Sequence, residues 1–395
     1  MSSITEFVPG IRYVGVNDRT KSLFEGLWPL PQGVSYNSYL IIDRKTALID
    51  TADGAFTDRF LANIEQALEG RRLDYLVINH MEPDHSASIA AVRRSHPEVT
   101  LVSNAKALAM VEGYYGICDA VLEVKEGDTL SLGERSLLFR MTPMVHWPET
   151  MMSYCPEEKI LFSGDAFGCF GALDGGIADR DMDTDRYWDE MVRYYSNIVG
   201  KYGSPVQKAL EKWKGTELRA ICPTHGPVWT EQLPRVAGLY DRMSRYECEP
   251  GVVIAYGSMY GNTEQMAEEL ARRFAARGIR RIAVHNLSVS HVSYVLRDIF
   301  KYRALVVGSP TYNGGIYPPV AAPLEQIGER NLPPRPFACF GSFTWAGTAA
   351  RRIAAWAEGV KWPVCAAPVE FRQGYDRAKA AGCDALVEAV LAQME

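Results

Sequence analysis

Residues 251–395 alternate short apolar runs with helical patterns, and little else lies between them. The runs predict strands over 252–256, 281–286, 304–308, 336–340 and 364–371. The patterns between them predict helices over 264–276, 292–300, 319–327, 348–357 and 375–393. Met266, Leu270 and Phe274 recur every four residues and give the first helix one apolar stripe. Five strands alternating with five helices specify a doubly wound parallel sheet, because each parallel crossover needs a covering helix.

The first part of the chain reads differently. Short strands are predicted over 11–16, 38–42, 46–49, 73–78, 100–102, 120–124, 136–141, 151–154 and 159–162. Helical patterns over 56–68, 87–94, 105–114, 187–199 and 205–212 interrupt them. That mixture predicts an α/β layered domain, sheets covered by helices. A chain of 395 residues is too long for one ordinary core. The join falls in 245–251, around Glu249-Pro250-Gly251, and the expected domains are 1–248 and 249–395.

Composition removes several function classes. The chain is 47% hydrophobic and 23% charged, with a net charge of -6 and no long run of one sign, so no basic face for nucleic acid is expected. No apolar stretch reaches the roughly 18 residues of a membrane span, and the N-terminus does not read as a secretory signal. Eight scattered cysteines form no C-x-x-C pair, which excludes the usual iron–sulfur spacing and points to reduced thiols in a cytoplasmic protein.

His80-Met81-Glu82-Pro83-Asp84-His85 carries four potential metal ligands in six residues, directly after the apolar run Leu76-Val77-Ile78. Pro83 stops the segment from continuing as a regular strand. His146, Asp165 and His225 each follow a further apolar run. Strand ends on one side of a sheet converge on a common mouth. A polar cap on a buried strand explains one such histidine, but not four imidazoles and three carboxylates together. His96, His285 and His291 fall outside the pattern and read as surface or structural. Oxygen and nitrogen ligands without a thiolate suit iron or manganese and also accept zinc. Three carboxylates against two divalent ions favour higher oxidation states, which zinc lacks.

Three loops of the second half share another chemistry. Ser258, Met259, Tyr260, Gly261, Asn262 and Thr263 lie between the first strand and its helix, where hydroxyls and free N–H groups form an anion site. There is no lysine and no G-x-G-x-x-G, so a monophosphate fits better than a nucleoside triphosphate or a dinucleotide. Ser309, Pro310, Thr311, Tyr312, Asn313 and Gly314 follow the third strand, and Ser342, Thr344, Trp345 and Gly347 follow the fourth. Tyr312 and Trp345 are placed to flank a flat ring.

These motifs together resemble the flavodiiron proteins, or A-type flavoproteins, of the minimal two-domain kind. The resemblance covers nearly the whole chain. It rests on Phe24-Glu25-Gly26-Leu27-Trp28-Pro29, Tyr36-Asn37-Ser38-Tyr39, the H-x-E-x-D-H loop and His146-Trp147-Pro148-Glu149-Thr150. Gly164-Asp165-Ala166-Phe167, Pro223-Thr224-His225-Gly226 and Ser258-Met259-Tyr260-Gly261-Asn262-Thr263 complete it. It implies a metallo-β-lactamase-like αββα sandwich followed by a flavodoxin-like five-stranded domain that binds FMN. It implies one iron on His80, Glu82 and His146, a second on Asp84, His85 and His225, and Asp165 bridging both. Tyr195 corresponds to a tyrosine close to bound substrate.

The activity implied is reduction of dioxygen to water, of nitric oxide to nitrous oxide, or both. Electrons would pass through FMN from an external carrier such as rubredoxin, because the sequence ends after the last predicted helix with no appended redox module. The resemblance also implies a head-to-tail homodimer, or a dimer of dimers, that brings each FMN to its partner's irons. A dinuclear zinc hydrolase and a non-catalytic electron carrier are the rivals. Glu82, where the related zinc hydrolases carry histidine, and the fused flavin domain oppose the first; the complete ligand set opposes the second.

Overall fold

In the computed structural model, which describes residues 5–376, 378 and 381–394, the chain divides into two units, Met1–Arg245 and Tyr246–Glu395. The first unit contains two large sheets. One runs in the order Thr5–Val8, Ile11–Tyr13, Tyr39–Ile42, Thr46–Ile49, Tyr75–Val77, Thr100–Ser103, Val121–Glu123, antiparallel among the first four strands and parallel thereafter. The other runs Thr129–Ser131, Ser136–Met141, Met151–Cys155, Ile160–Gly164, Ala220–Pro223, with only the last pair parallel.

Ile41, Ile49, Val77 and Val102 of one sheet share a buried cluster with Phe139, Met151, Ile160 and Phe162 of the other, so the sheets face each other. Helices cover the outside. Thr57–Leu68, for example, buries Phe60, Ile64, Ala67 and Leu68, the spacing of one helical face. The result is the expected αββα sandwich.

The second unit holds five parallel strands in the order Ile282–Asn286, Glu249–Tyr256, Tyr302–Tyr312, Phe337–Phe343, Val369–Arg372, with the short Gly315–Ile316 paired antiparallel beyond Tyr312. Numbered along the chain, this is 2-1-3-4-5, the flavodoxin-like order, whose switch point lies between the first and third strands.

Four expected elements differ. The strand over 11–16 breaks into Ile11–Tyr13 and Val16–Asp18, which join different sheets. Gly15 makes the crossing; a Cβ there would lie 2.4 Å from the Tyr36 carbonyl oxygen. The helix over 187–199 is α-helical only to Tyr194 and then widens into a π turn over Tyr195–Val199, a change that side-chain periodicity does not encode. The last strand is confined to Val369–Arg372, and the last helix is Ala381–Ala392, starting later than 375; residues 377, 379 and 380 lie outside the described ones. Among the described residues, no helix is long and apolar enough to cross a membrane.

Candidate metal centre and flavin site

Four chain segments deliver the seven expected metal ligands. After Tyr75–Val77 the backbone turns through His80 and Glu82 into a short helix, Pro83–Ser86, with Pro83 in its first turn where no amide donor is needed. His146 lies in the loop after Ser136–Met141, Asp165 directly after Ile160–Gly164, and His225 two residues after Ala220–Pro223. All seven side chains are buried. They form two groups, His80, Glu82, His146, Asp165 and Asp84, His85, His225, and in each group one ligand atom per residue lies within 4.8 Å of the others.

Asp165 faces both groups. Its Oδ2 is 3.1 Å from His146 Nε2 and 3.4 Å from His80 Nε2, while its Oδ1 is 3.0 Å from His85 Nε2 and 3.8 Å from His225 Nε2. The Thr224 hydroxyl donates to Oδ1 at 2.6 Å and fixes the carboxylate plane. Glu82 Oε2 reaches His80 and His146 at 3.3 and 3.0 Å, and Asp84 Oδ2 reaches His225 and His85 at 3.2 and 3.4 Å.

The donor set fits a pair of cations. His85 Nε2 and His225 Nε2 stand 3.0 Å apart, two ring nitrogens converging on one point. Both carboxylate oxygens of Asp84 are buried without a hydrogen-bond donor. Such a group is costly in a dry interior unless a positive charge joins it. The imidazoles respond to the same field. Burial works against charging His85 and His146, yet the carboxylates outweigh it, Asp84 and Asp165 for His85, Asp165 and Glu82 for His146, and each ring is pushed up to about 9. Protons and metal ions compete for these positions.

Behind the ligands lie residues that strand-end reasoning did not identify. Asp50 ends the strand Thr46–Ile49 and accepts from Asn79 N at 2.7 Å and Asn79 Nδ2 at 3.1 Å, pinning the start of the ligand loop. Burial pushes its carboxyl up to about 6 despite His85 and the Asn79 hydrogen bonds. Glu25, at the tip of the hairpin Leu23–Phe24/Trp28–Pro29, is pushed up to about 7 by burial and then by the charge of Glu82 beside it. Glu149 and Ser35 hold the outer nitrogens of His80 and His225. A polar residue just past an apolar run was the available signal for Asp50; Glu149 stood in a motif already singled out.

Tyr195 and its neighbour meet different rings. The Tyr195 ring packs edge-on against Tyr240, centroids 5.1 Å apart, whereas the neighbouring Tyr194 lies 5.5 Å from the His225 ring. Successive helical residues point about 100° apart, so the two rings take different directions. The Tyr194 hydroxyl is buried without a hydrogen-bond partner, and burial, then Asp165, Glu82 and Asp84, push it well above the usual phenol range. The three histidines outside the pattern are structural: His96 pairs with Glu65, His285 with Asp298, and His291 caps the helix Val292–Lys301.

In the second unit the three expected loops meet around one cavity of about 340 Å³. Ser258, Met259, Tyr260, Asn262 and Thr263 line it from the first loop, Pro310, Thr311, Tyr312, Asn313 and Gly314 from the second, Ser342, Thr344 and Trp345 from the third. Gly261, Ser309 and Gly347 do not line it. Gly261 turns the chain at φ +83° into the helix Asn262–Ala276, and the Ser309 hydroxyl accepts from Tyr317 N. A Cβ on Gly347 would come within 2.7 Å of the Phe343 ring. Thr311 Oγ1 accepts from Thr348 N and Ala349 N at the head of the next helix. Phe343, Ala346 and Gln373 also line the cavity and were not expected.

Tyr260 and Trp345 are each 87% exposed, an arrangement that leaves two large rings uncovered at the mouth. A flat apolar ring seated there covers them, and the start of the helix Asn262–Ala276 suits a phosphate. The cavity therefore fits FMN.

Residues 34–226 match the family described as ODP family beta lactamase, and residues 254–366 match flavodoxin. The chain is 34% identical over 353 residues to a nitric oxide reductase of Moorella thermoacetica, covering 88% of each. It is 33% identical over 373 residues to a rubredoxin-oxygen oxidoreductase of Megalodesulfovibrio gigas, covering 93% of this chain and 92% of the relative. The crystal structure of a flavodiiron protein from Giardia intestinalis superposes with a TM-score of 0.94 at 29% identity, covering 100% of this chain and 98% of that one. The zinc hydrolase reading finds no support among these relatives, which are named as oxidoreductases.

Proposed function

Because the chain belongs to the flavodiiron proteins, oxidoreductases that carry FMN and a diiron site, we propose that it reduces dioxygen to water, nitric oxide to nitrous oxide, or both, with electrons from a rubredoxin-type donor. The observation that carries this reading is Asp165, whose two oxygens address two separate groups of ligands. In this reading His80, Glu82 and His146 hold one iron, Asp84, His85 and His225 the other, and Asp165 spans them. Reduced FMN and two ferrous ions together store the four electrons that one dioxygen requires, or the two that join a pair of nitric oxides.

The protein's part is positioning. Nδ1 of His80 and of His225 each sits 2.7–2.8 Å from an oxygen acceptor, which leaves their Nε2 lone pairs for metal. Phe24, Phe170 and Tyr194 pack around His225 and its neighbours and keep bulk water away. The Tyr194 hydroxyl, rather than that of Tyr195, is the group on this wall that can hydrogen-bond a substrate. The exposed rings of Tyr260 and Trp345 and the loops Ser258–Thr263, Ser309–Gly314 and Ser342–Gly347 hold FMN.

The iron-binding domain is taken as 1–248 and the FMN-binding domain as 249–395. A head-to-tail homodimer, or a dimer of dimers, is the proposed assembly. Its support is charge: of the 48 acidic and 42 basic residues, the acidic excess lies wholly in 1–245, while 246–395 is slightly basic. All eight cysteines are free, which supports a cytoplasmic site of action. The test is consumption of dioxygen and of nitric oxide, followed by electrode with reduced rubredoxin. Use of either gas supports the proposal and assigns the substrate; use of neither by protein loaded with iron and FMN would overturn it.

A further inference from the structure

The outer ring nitrogens of the metal-centre histidines are held unequally. His225 Nδ1 donates to the backbone carbonyl of Ser35 at 2.7 Å, and His85 Nδ1 is buried without a partner. His80 alone meets a carboxylate: its Nδ1 donates to Glu149 Oε1 at 2.8 Å. Glu149 is 1% exposed, and its backbone carbonyl is tied to the head of the helix Ala105–Tyr115 by the side chain of Asn104, the helix cap, at 2.6 Å. Oε1 also accepts from Met81 N at 3.0 Å, so one oxygen fixes both the ring and the backbone beside it. Oε2 is buried and accepts nothing, and of the two groups on Oε1 it is the His80 ring that leads to a candidate metal position.

We propose that Glu149 is the positioning residue of the iron held by His80, Glu82 and His146, and that its charge biases this iron toward the ferric state. The inference rests on the diiron reading above. A carboxylate on Nδ1–H fixes the tautomer with Nε2 bare, aims Nε2 at Glu82 Oε2 and Asp165 Oδ2, and makes the imidazole a stronger donor. The other group has no equivalent, so the two irons differ in how firmly the protein holds them. Loss of such a support weakens metal binding by about 10- to 100-fold.

Two variants separate orientation from charge. Glu149→Ala removes both, and the expected result is about one iron per chain in place of two, with the FMN content and circular dichroism of the wild type. Glu149→Gln keeps an oxygen for His80 and Met81 but no charge. It is expected to retain two irons while the midpoint potential of one rises; a tenfold loss of ferric preference corresponds to about 59 mV. A merely structural Glu149, needed only to hold Met81 in place, would leave that potential unmoved in the Gln variant.

The inference is overturned by a Gln variant with wild-type iron affinity and potentials, or by an Ala variant that keeps two firmly bound irons. Should the Ala variant fail to fold, the Gln variant decides alone. Wild-type protein that binds no iron at all would overturn the diiron reading, a result distinct from either of these.

Discussion

Asp165 can address two metal positions because it follows a strand of the second sheet while the candidate ligands around it come from three further loops. No other side chain among the described residues has ligands of both groups within 4 Å of its two oxygens. Asp165→Ala is therefore expected to cost at least one iron per chain by elemental analysis and to lower turnover by about 100-fold or more. Retention of both metals and full rate would sink the bridging role. Tyr194 and Tyr195 offer a second contrast. Tyr194→Phe removes a buried hydroxyl that no protein group satisfies, so iron-free protein is expected to gain about 1 kcal/mol in denaturant unfolding. In the loaded enzyme the same change is expected to slow turnover by about tenfold or more. Tyr195→Phe is expected to leave turnover within about twofold. The opposite ranking in parallel assays would restore Tyr195 to the site.

At the scale of elements, the turns that carry ligands are tightly specified. Gly226, next to His225, has φ +76°, and a Cβ there would lie 2.2 Å from Cys169 Sγ. Gly226→Ala combines left-handed strain with overpacking and is expected to destabilise the protein by about 3 kcal/mol, measured by denaturant unfolding. In the second unit, Asp298 ties the helix Val292–Lys301 to the strand Ile282–Asn286 through His285 Nε2 at 2.8 Å. Burial raises its pKa, but the bonds from His285 and Arg297 outweigh burial and hold it below the ordinary carboxylate value. A lowered folded pKa stabilises above the unfolded value of about 3.9, and that stabilisation is lost as pH falls through the folded one. The unfolding free energies of wild type and Asp298→Asn are expected to differ by about 1–3 kcal/mol at pH 7, and the gap is expected to begin to narrow as pH falls below the unfolded value of about 3.9. A gap that does not shrink on further acidification would contradict this assignment.

For the whole molecule, ligand charges and cofactors couple folding to loading. Seven buried ligands with three carboxylates repel one another unless cations or protons join them, so chelation is expected to lower the thermal transition. Iron at 100 times its Kd adds about 2.7 kcal/mol of stability. Calorimetry should place that loss in the iron-binding unit and spare the flavin unit; an unchanged trace after complete removal of iron would count against a structural contribution from the metals. The proposed dimer makes a separate prediction. A variant held monomeric is expected to keep FMN and iron by analysis yet lose turnover, and a fully active monomer would refute the head-to-tail assignment.

The sequence by itself determined most of the elements and the candidate ligand set. Strand periodicity, the alternation after residue 251 and the H-x-E-x-D-H loop are local patterns, and local patterns survive in one dimension. The seven candidate ligands and the three loops around the flavin cavity were legible for the same reason, since each follows an apolar run that must end at a sheet edge. Tertiary structure alone decided what each side chain meets. That Asp165 splits its oxygens between two groups depends on how two sheets face each other. That Tyr194 meets the His225 ring while Tyr195 packs on Tyr240 depends on the angular phase of one helix, and adjacent identical residues carry no phase information. That Glu149 stands behind His80 depends on a contact across 69 residues, which packing of the folded chain creates and no spacing in the sequence records.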